Sequence, residues 1–198
     1  MKLDTDLVVI GAGVIGLAVS YKFASKGYSV FLLEKEKQFG TGVSSRSSEV
    51  IHAGVYYRTG SLKASLCLKG KDLLYYHCEK YNINHKKIGK LFIAVEENEI
   101  TSLEKLKLQA ENNGLMDLKY LNKSEIKKIE PSLNSCCALY SPSTGIIDSH
   151  GLMKSLFQLN ENHDVTYASL SPVLNAEPII NGWKVMIGGI EPTSITTR

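Results

Sequence analysis

The chain has 198 residues, 43% hydrophobic and 22% charged, which supplies enough apolar material for a packed domain and excludes a disordered tail. A formal net charge of +3, with Lys and Glu interspersed, creates no basic field of the kind that binds DNA or RNA. Cys67, Cys78, Cys136 and Cys137 show neither Cys-x-x-Cys spacing nor a histidine at a zinc-like interval, so the sequence predicts reduced thiols, no metal site and a cytoplasmic setting.

Asp4 and Asp6 stand where a signal peptide would carry basic residues. The apolar run from Leu7 to Val19 is broken by Gly11, Gly13 and Gly16, and it is shorter than the roughly 20 residues of a membrane span. No targeting or transmembrane segment is expected.

In chain order, Leu7 to Ile10 is a continuous apolar run that predicts a parallel strand buried on both faces. Val14, Leu17, Ala18, Tyr21 and Phe23 give an approximate helical face from Val14 to Ser25, which Gly27 stops. A second strand, Tyr28 to Leu33, ends at Glu34. The Gly/Ser-rich stretch from Gln38 to Ser48 has no apolar period and reads as an exposed or ligand-lining loop. Ser61 is placed to cap a long helix reaching about Tyr81, with Leu62, Leu66, Leu73, Leu74 and His77 along one side.

Further on, Ile88 to Val95 predicts a strand, Glu97 to Asn113 a Lys/Glu-rich amphipathic helix closed by Gly114, and Leu118 to Leu121 a short strand. A small helix, Ser124 to Ile129, cannot continue through Pro131. Ser149 can cap a helix to about Asn160, followed by strands at Val165 to Ala168, Val173 to Ala176 and Trp183 to Ile187, with Asn181-Gly182 as a hairpin turn. A strand-helix-strand start followed by mixed elements implies an α/β fold: a Rossmann-type nucleotide domain with an inserted α+β region.

Gly11-Ala12-Gly13-Val14-Ile15-Gly16 matches G-x-G-x-x-G between a strand and a helix. Gly11 permits the tight turn, Gly13 the approach of backbone to a pyrophosphate, and Gly16 close packing of helix on strand. Phosphates would meet the helix N-terminus at Val14 and Ile15, where N–H groups lack intrahelical acceptors. Glu34 stands ~20 residues beyond, where an acid accepts from ribose hydroxyls and disfavours a 2′-phosphate, with Lys35 beside it. The fingerprint alone leaves FAD and NAD both open.

The downstream segments SSRSSEVIHAGVYY, RTGSLKASLCLKG, KIGKLFIAVEENEI, KSEIKKIEP and STGIIDSHGLMKSL decide for FAD by resemblance. Together they make the chain similar to the L-2-hydroxyglutarate dehydrogenase/oxidase family, within the D-amino-acid oxidase-like flavoproteins. The resemblance implies FAD-binding segments at 1–85 and 143–198, a substrate-domain segment at 86–142, and a D-amino-acid oxidase-like fold. It implies oxidation of a 2-hydroxy acid, L-2-hydroxyglutarate first, with glycerol 3-phosphate or an amine or amino acid as the alternative. Electrons would pass to a quinone, an electron-transfer protein or oxygen.

Carried onto this sequence, the resemblance puts Gly11, Gly13 and Gly16 at the pyrophosphate and Glu34 at the ribose. It puts Ser45, Arg46 and Ser47 on the phosphate and flavin side, the backbone of Val173 at the adenine, and His52 near the isoalloxazine. Ser47-Ser48-Glu49 stands where the family often has Asn-Ser-Gly or Asn-Ser-Glu. Relatives continue with an Asn-Ala-Ala-Gly strand after a segment like IGGIEPTSITTR. A chain ending at Arg198 is therefore expected to be a truncated one that retains FAD weakly and turns over no 2-hydroxy acid, or a nucleotide-binding fragment without activity.

Three readings of His52 stay open: a packed structural histidine, a base for the substrate hydroxyl, and a covalent flavin link like that of related amine dehydrogenases. Tyr56 and Tyr57 either pack or line the ring. Lys63, Lys69 and Lys71 form a basic helix surface, solvated or in peripheral contact with phospholipid at the inner face of a membrane.

Overall fold

The structure is a computed structural model that describes residues 2–198. In chain order the elements begin with β1 (Leu7–Ile10), α1 (Val14–Ala24), β2 (Val30–Leu33), a 3-10 turn (Val43–Arg46), β3 (Val50–Ile51) and α2 (Leu62–Lys80). Next come β4 (His85–Lys86), β5 (Lys90–Ala94), α3 (Ile100–Asn112), β6 (Lys119–Asn122), α4 (Lys123–Ile129), β7 (Cys137–Ser141) and β8 (Gly145–Ile147). The chain closes with α5 (Ser149–Glu161), β9 (Thr166–Ala168), β10 (Val173–Ile179), β11 (Gly182–Ile187) and β12 (Thr193–Thr197). It divides into two compact units, Met1–Ser48 with Ser149–Arg198, and Glu49–Asp148.

In the first unit, β2 is the centre of a parallel sheet ordered β1-β2-β9, with Ile10 opposite Leu33 and Leu33 opposite Ala168. Alternation along β2 decides what covers each face. Val30 and Leu32 join Leu17 and Ala24 of α1 and Met153 and Leu156 of α5 in one core. Leu33 meets Val185 and Ile187 of the antiparallel β10-β11-β12 meander in another. Asn160 ties the two helices, its buried amide donating to the carbonyls of Leu17 (2.9 Å) and Leu156 (2.8 Å). Stacking of Phe39 on Phe157 continues that core outward.

Burial on both faces holds for β2 but not for β1. Among the described residues β1 pairs along its length only with β2, and Ile10 is 61% exposed. The Asn181-Gly182 turn also needs correction. Ile179 pairs with Gly182, so Ile180 and Asn181 form the loop, and Asn181 carries the positive φ (69°). Gly182 is required for another reason, because a Cβ there would lie 2.1 Å from the Thr197 carbonyl oxygen of β12.

The second unit is built on an antiparallel sheet ordered β5-β7-β6, under which Leu103 and Ala110 of α3 meet Ala94, Leu118 and Leu139. Strands β7 and β8 were not expected, since CALYS shows no apolar-polar alternation and GII is three residues long. The turn between them, which carries the chain from one sheet to another, is set by a buried pair, Ser141 Oγ and Thr144 Oγ1 at 2.9 Å. Gly145 then passes so close to Tyr75 and to the Lys86 backbone that no Cβ fits.

Helix α2 starts where Ser61 accepts the Ala64 N–H. Its buried face is Ala64, Tyr75 and Cys78, which leaves Leu62 (77%), Leu66 (58%) and Leu73 (68%) exposed. The leucine side of the sequence pattern is thus the outer side. For α4 the cap is Asn122, whose side chain accepts from Ser124 and Glu125, two residues before the expected Ser124 start.

Gly16 is the tightest helix-to-strand contact in the first unit, since a Cβ would fall 1.9 Å from the Gly11 carbonyl oxygen. Gly16→Ala should therefore cost about 1–3 kcal/mol of stability by forcing α1 off β1. A fall in the denaturation midpoint, with Gly70→Ala as a comparison at an open position without positive φ, is the measurement.

Candidate functional site

The carboxyl ends of β1 and β2 meet around Glu34. Gly11, with φ at +94°, turns the chain, and its N–H donates to the Leu33 carbonyl at 2.7 Å. That turn brings the Ala12 N–H to Glu34 Oε2 at 2.7 Å, while the Glu36 N–H donates to Oε1 at 3.0 Å. Glu34 is 9% exposed, and its own N–H and carbonyl pair with Ala168 and Ser171. A carboxylate so held keeps spare lone pairs in a fixed direction, as recognition of a diol requires.

Gly13 occupies the cap position of α1 in extended backbone, and no side chain of its own covers the helix end. The first-turn N–H groups of α1 have no acceptor within the helix. Ser44 supplies one: its Oγ accepts the Val14 N–H at 3.0 Å and would sit 2.9 Å from a Cβ on Gly13. Ser44 was not among the residues singled out from the sequence. In a run of serines only the 3-10 turn decides which hydroxyl points at the helix.

The remaining predicted residues are dispersed around this centre. Ser45 turns its hydroxyl to the carbonyls of Thr41 (3.2 Å) and Gly42 (2.8 Å), and Arg46 and Ser47 are exposed. Ile15 is 74% exposed on the first turn of α1. Lys35 points outward beside Glu36 at 3.9 Å, and Val173 packs against the core around Leu33. Tyr167, on β9, has a buried hydroxyl with no partner among the described residues, and burial first, then the Glu34 charge, pushes its phenol upward. A separate cleft of about 860 Å³ lies between the 37–41 loop and α5, lined by Phe39, Phe157, Tyr167 and Lys154.

In the second unit His52 follows β3, half-buried, and its carbonyl accepts the Cys67 thiol at 3.3 Å. Gly54 two residues on holds φ at +93°, a left-handed conformation that glycine adopts without strain. His52 shares a small recess with Tyr56, Tyr57, Lys90, Phe92 and Thr144. Burial, reinforced by the Lys90 charge, holds the imidazole below its ordinary value of 6.5. A neutral ring at neutral pH can accept a proton.

A glycine turn locked to a buried acid can be compared with known proteins residue by residue. Residues 6–197 match the family model described as FAD dependent oxidoreductase. The chain belongs to this family. Among curated relatives it is 46% identical over 157 residues to L-2-hydroxyglutarate dehydrogenase, mitochondrial, of Arabidopsis thaliana, covering 79% of this chain and 32% of that protein. It is 38% identical over 155 residues to the Homo sapiens protein of the same name, covering 77% of this chain and 34% of that protein. The structure of L-alpha-glycerophosphate oxidase from Mycoplasma pneumoniae with FAD bound superposes with a TM-score of 0.89 at 26% identity, covering 100% of this chain and 53% of that one.

The chain thus spans about a third of the length of these curated relatives and about half that of the solved oxidase. FAD is the cofactor of the family, and the residues present are compatible with its ADP half: a Cβ on Gly16 would collide with the Gly11 carbonyl, only the Ser44 hydroxyl stands against Gly13, and Glu34 is a buried acid at the carboxyl end of β2.

Glu34→Ala would leave the Ala12 N–H buried and unpaired, at a cost of about 1–3 kcal/mol. Flavin retained per mole of purified protein should drop, and the melting temperature with it. Glu34→Gln, which keeps an acceptor for Ala12, should lie between.

Proposed function

We propose that this chain, as part of a protein of its curated relatives' length, oxidises a 2-hydroxy acid, L-2-hydroxyglutarate before others, to the 2-oxo acid. The observation that carries this reading is the Glu34-locked glycine turn in a chain 38–46% identical to L-2-hydroxyglutarate dehydrogenases. Bound flavin would supply the hydride acceptor, and a quinone, an electron-transfer protein or oxygen would reoxidise it. In this assignment Gly11, Gly13, Val14, Ile15, Gly16 and Ser44 hold the pyrophosphate, Glu34 and Lys35 the ribose, and Val173 the adenine. Ser45, Arg46 and Ser47 face the flavin side. Residues 1–85 and 143–198 then serve the cofactor, and 86–142 the substrate.

His52 takes the hydroxyl proton in this scheme. Its half-burial and the neighbouring Lys90 charge favour the neutral form that a base needs. Protonation of a group held below 6.5 is lost as pH rises through the lowered value, so activity should climb through that same range. The rate of anaerobic flavin reduction should show an acidic limb with its midpoint below 6.5, and His52→Gln should remove that limb and slow reduction by about 10²–10⁴-fold. A limb that survives the substitution would assign the base elsewhere.

The likeness to the glycerophosphate oxidase favours glycerol 3-phosphate as the second substrate reading, with amino acids and amines behind it. Anaerobic bleaching of the flavin absorbance against a panel of L-2-hydroxyglutarate, glycerol 3-phosphate, glycine and L-proline separates them. Bleaching by the hydroxy diacid alone is expected.

Among the described residues no helix is long and apolar enough to cross a membrane. A cytoplasmic, reducing setting accords with four free cysteines. Peripheral contact with an anionic membrane surface is supported by the outward Leu62, Leu66 and Leu73 of α2 flanked by the exposed Lys63 and Lys69. Co-sedimentation with vesicles containing phosphatidylserine, abolished by Leu66→Glu with Leu73→Glu, is the expected result.

A further inference from the structure

We infer that Lys90 is a substrate-binding residue, whose ammonium holds one carboxylate of a dicarboxylic 2-hydroxy acid beside His52. The inference rests on the proposed reaction and names a determinant for its substrate class.

Lys90 opens β5, opposite Ser141 of β7, and its side chain is half-buried. Its Nζ lies 5.1 Å from the centre of the Phe92 ring and 5.6 Å from that of Tyr56. Among the described residues no carboxylate comes within 4.0 Å of it, whereas Lys107 pairs with Glu111 and Lys71 with Asp72. Aromatic faces attract a cation but do not neutralise it, and a cation withdrawn from water without a counter-ion is costly. An arriving anion removes that cost.

Position selects the anion. Lys90 and His52 line the same recess, with Phe92, Tyr56 and Thr144, and the recess has a volume of about 10 Å³. A space of that size takes one carboxylate oxygen or one water and reads one end of a ligand. A lysine acts there as a point charge and suits a single oxygen, where an arginine would present a fork. The same cation disfavours protonation of His52, so anion capture and the neutral base share one residue. Gly89 sets the start of the strand: its φ is +76°, and a Cβ there would collide with the Tyr140 ring.

The test uses the flavin-loaded protein and two acids that cannot be oxidised, glutarate and butyrate, with affinities measured by titration calorimetry. Lys90→Met should weaken glutarate binding by about 10-fold or more and leave butyrate within about twofold, because loss of a desolvated charge partner has effects of that order. Lys90→Arg should recover only part of the glutarate affinity, because the charge returns but a guanidinium fork does not match a recess for one oxygen. Unchanged glutarate binding in Lys90→Met would overturn the inference, as would equal losses for the two acids or no measurable glutarate binding by the unsubstituted protein. Lys90-dependent glutarate binding in a protein whose flavin no 2-hydroxy acid bleaches would overturn the proposed reaction and leave the carboxylate site standing.

Discussion

One carboxylate holds the nucleotide end of the structure together. Glu34 receives the Ala12 N–H on one oxygen and the Glu36 N–H on the other, so the turn after β1 and the turn after β2 are fixed to the same side chain. Gly11 enters its positive-φ conformation because it carries no side chain, and there its N–H is met by the carbonyl of Leu33, one residue before the acid. The start of α1, the closeness of Gly16 to Gly11 and the approach of the Ser44 hydroxyl to the helix end at Gly13 all follow from where that turn is pinned. A charge-assisted pair of this kind does its work in a site 9% exposed, where water competes little.

Around that fixed point the two faces of β2 are covered by different means. Helices α1 and α5 close one face and the β10-β11-β12 meander the other. The carboxyl end of β1 is left to short polar segments, the glycine turn and the Ser44 hydroxyl, and in the proposed assignment these would meet the phosphates. In the Glu49–Asp148 unit the polarity is arranged differently, with a neutral imidazole and an unneutralised ammonium set among aromatic rings.

What could be read from the sequence was what is encoded locally. The glycine turn, the Ser61 cap and the helix ending near Asn160 each depend on residues a few positions apart, and Glu34, though 22 positions from Ala12, was legible because it closes the next strand. Strands β7 and β8 are held by partners far along the chain, Ala94 opposite Cys137 and Val50 opposite Ile146, while β12 pairs with the neighbouring β11 but is a Thr/Ser run with no apolar alternation to mark it. The exposed leucines of α2 share a stripe that looks like a core face, and only the packing of Ala64, Tyr75 and Cys78 reveals which side is inward. Ser44 and Lys90 were invisible for a related reason: a hydroxyl in a serine run and a lysine among many acquire meaning from three-dimensional neighbours.

The pairing of β2 with β9 joins residues distant in sequence, since Phe31 lies opposite Thr166, a separation of 166 − 31 = 135 positions. The Glu49–Asp148 unit is contiguous and carries its own sheet and core. On a ribosome, where synthesis runs from the N-terminus, the intervening unit can therefore close while β1, α1 and β2 still lack their third strand and α5. High contact order of this sort makes the nucleotide end slow to form, and the apolar run Leu7–Ile10 spends that interval uncovered. The unit that would hold the cofactor therefore cannot complete its three-stranded sheet until the chain as far as Ala168 has emerged.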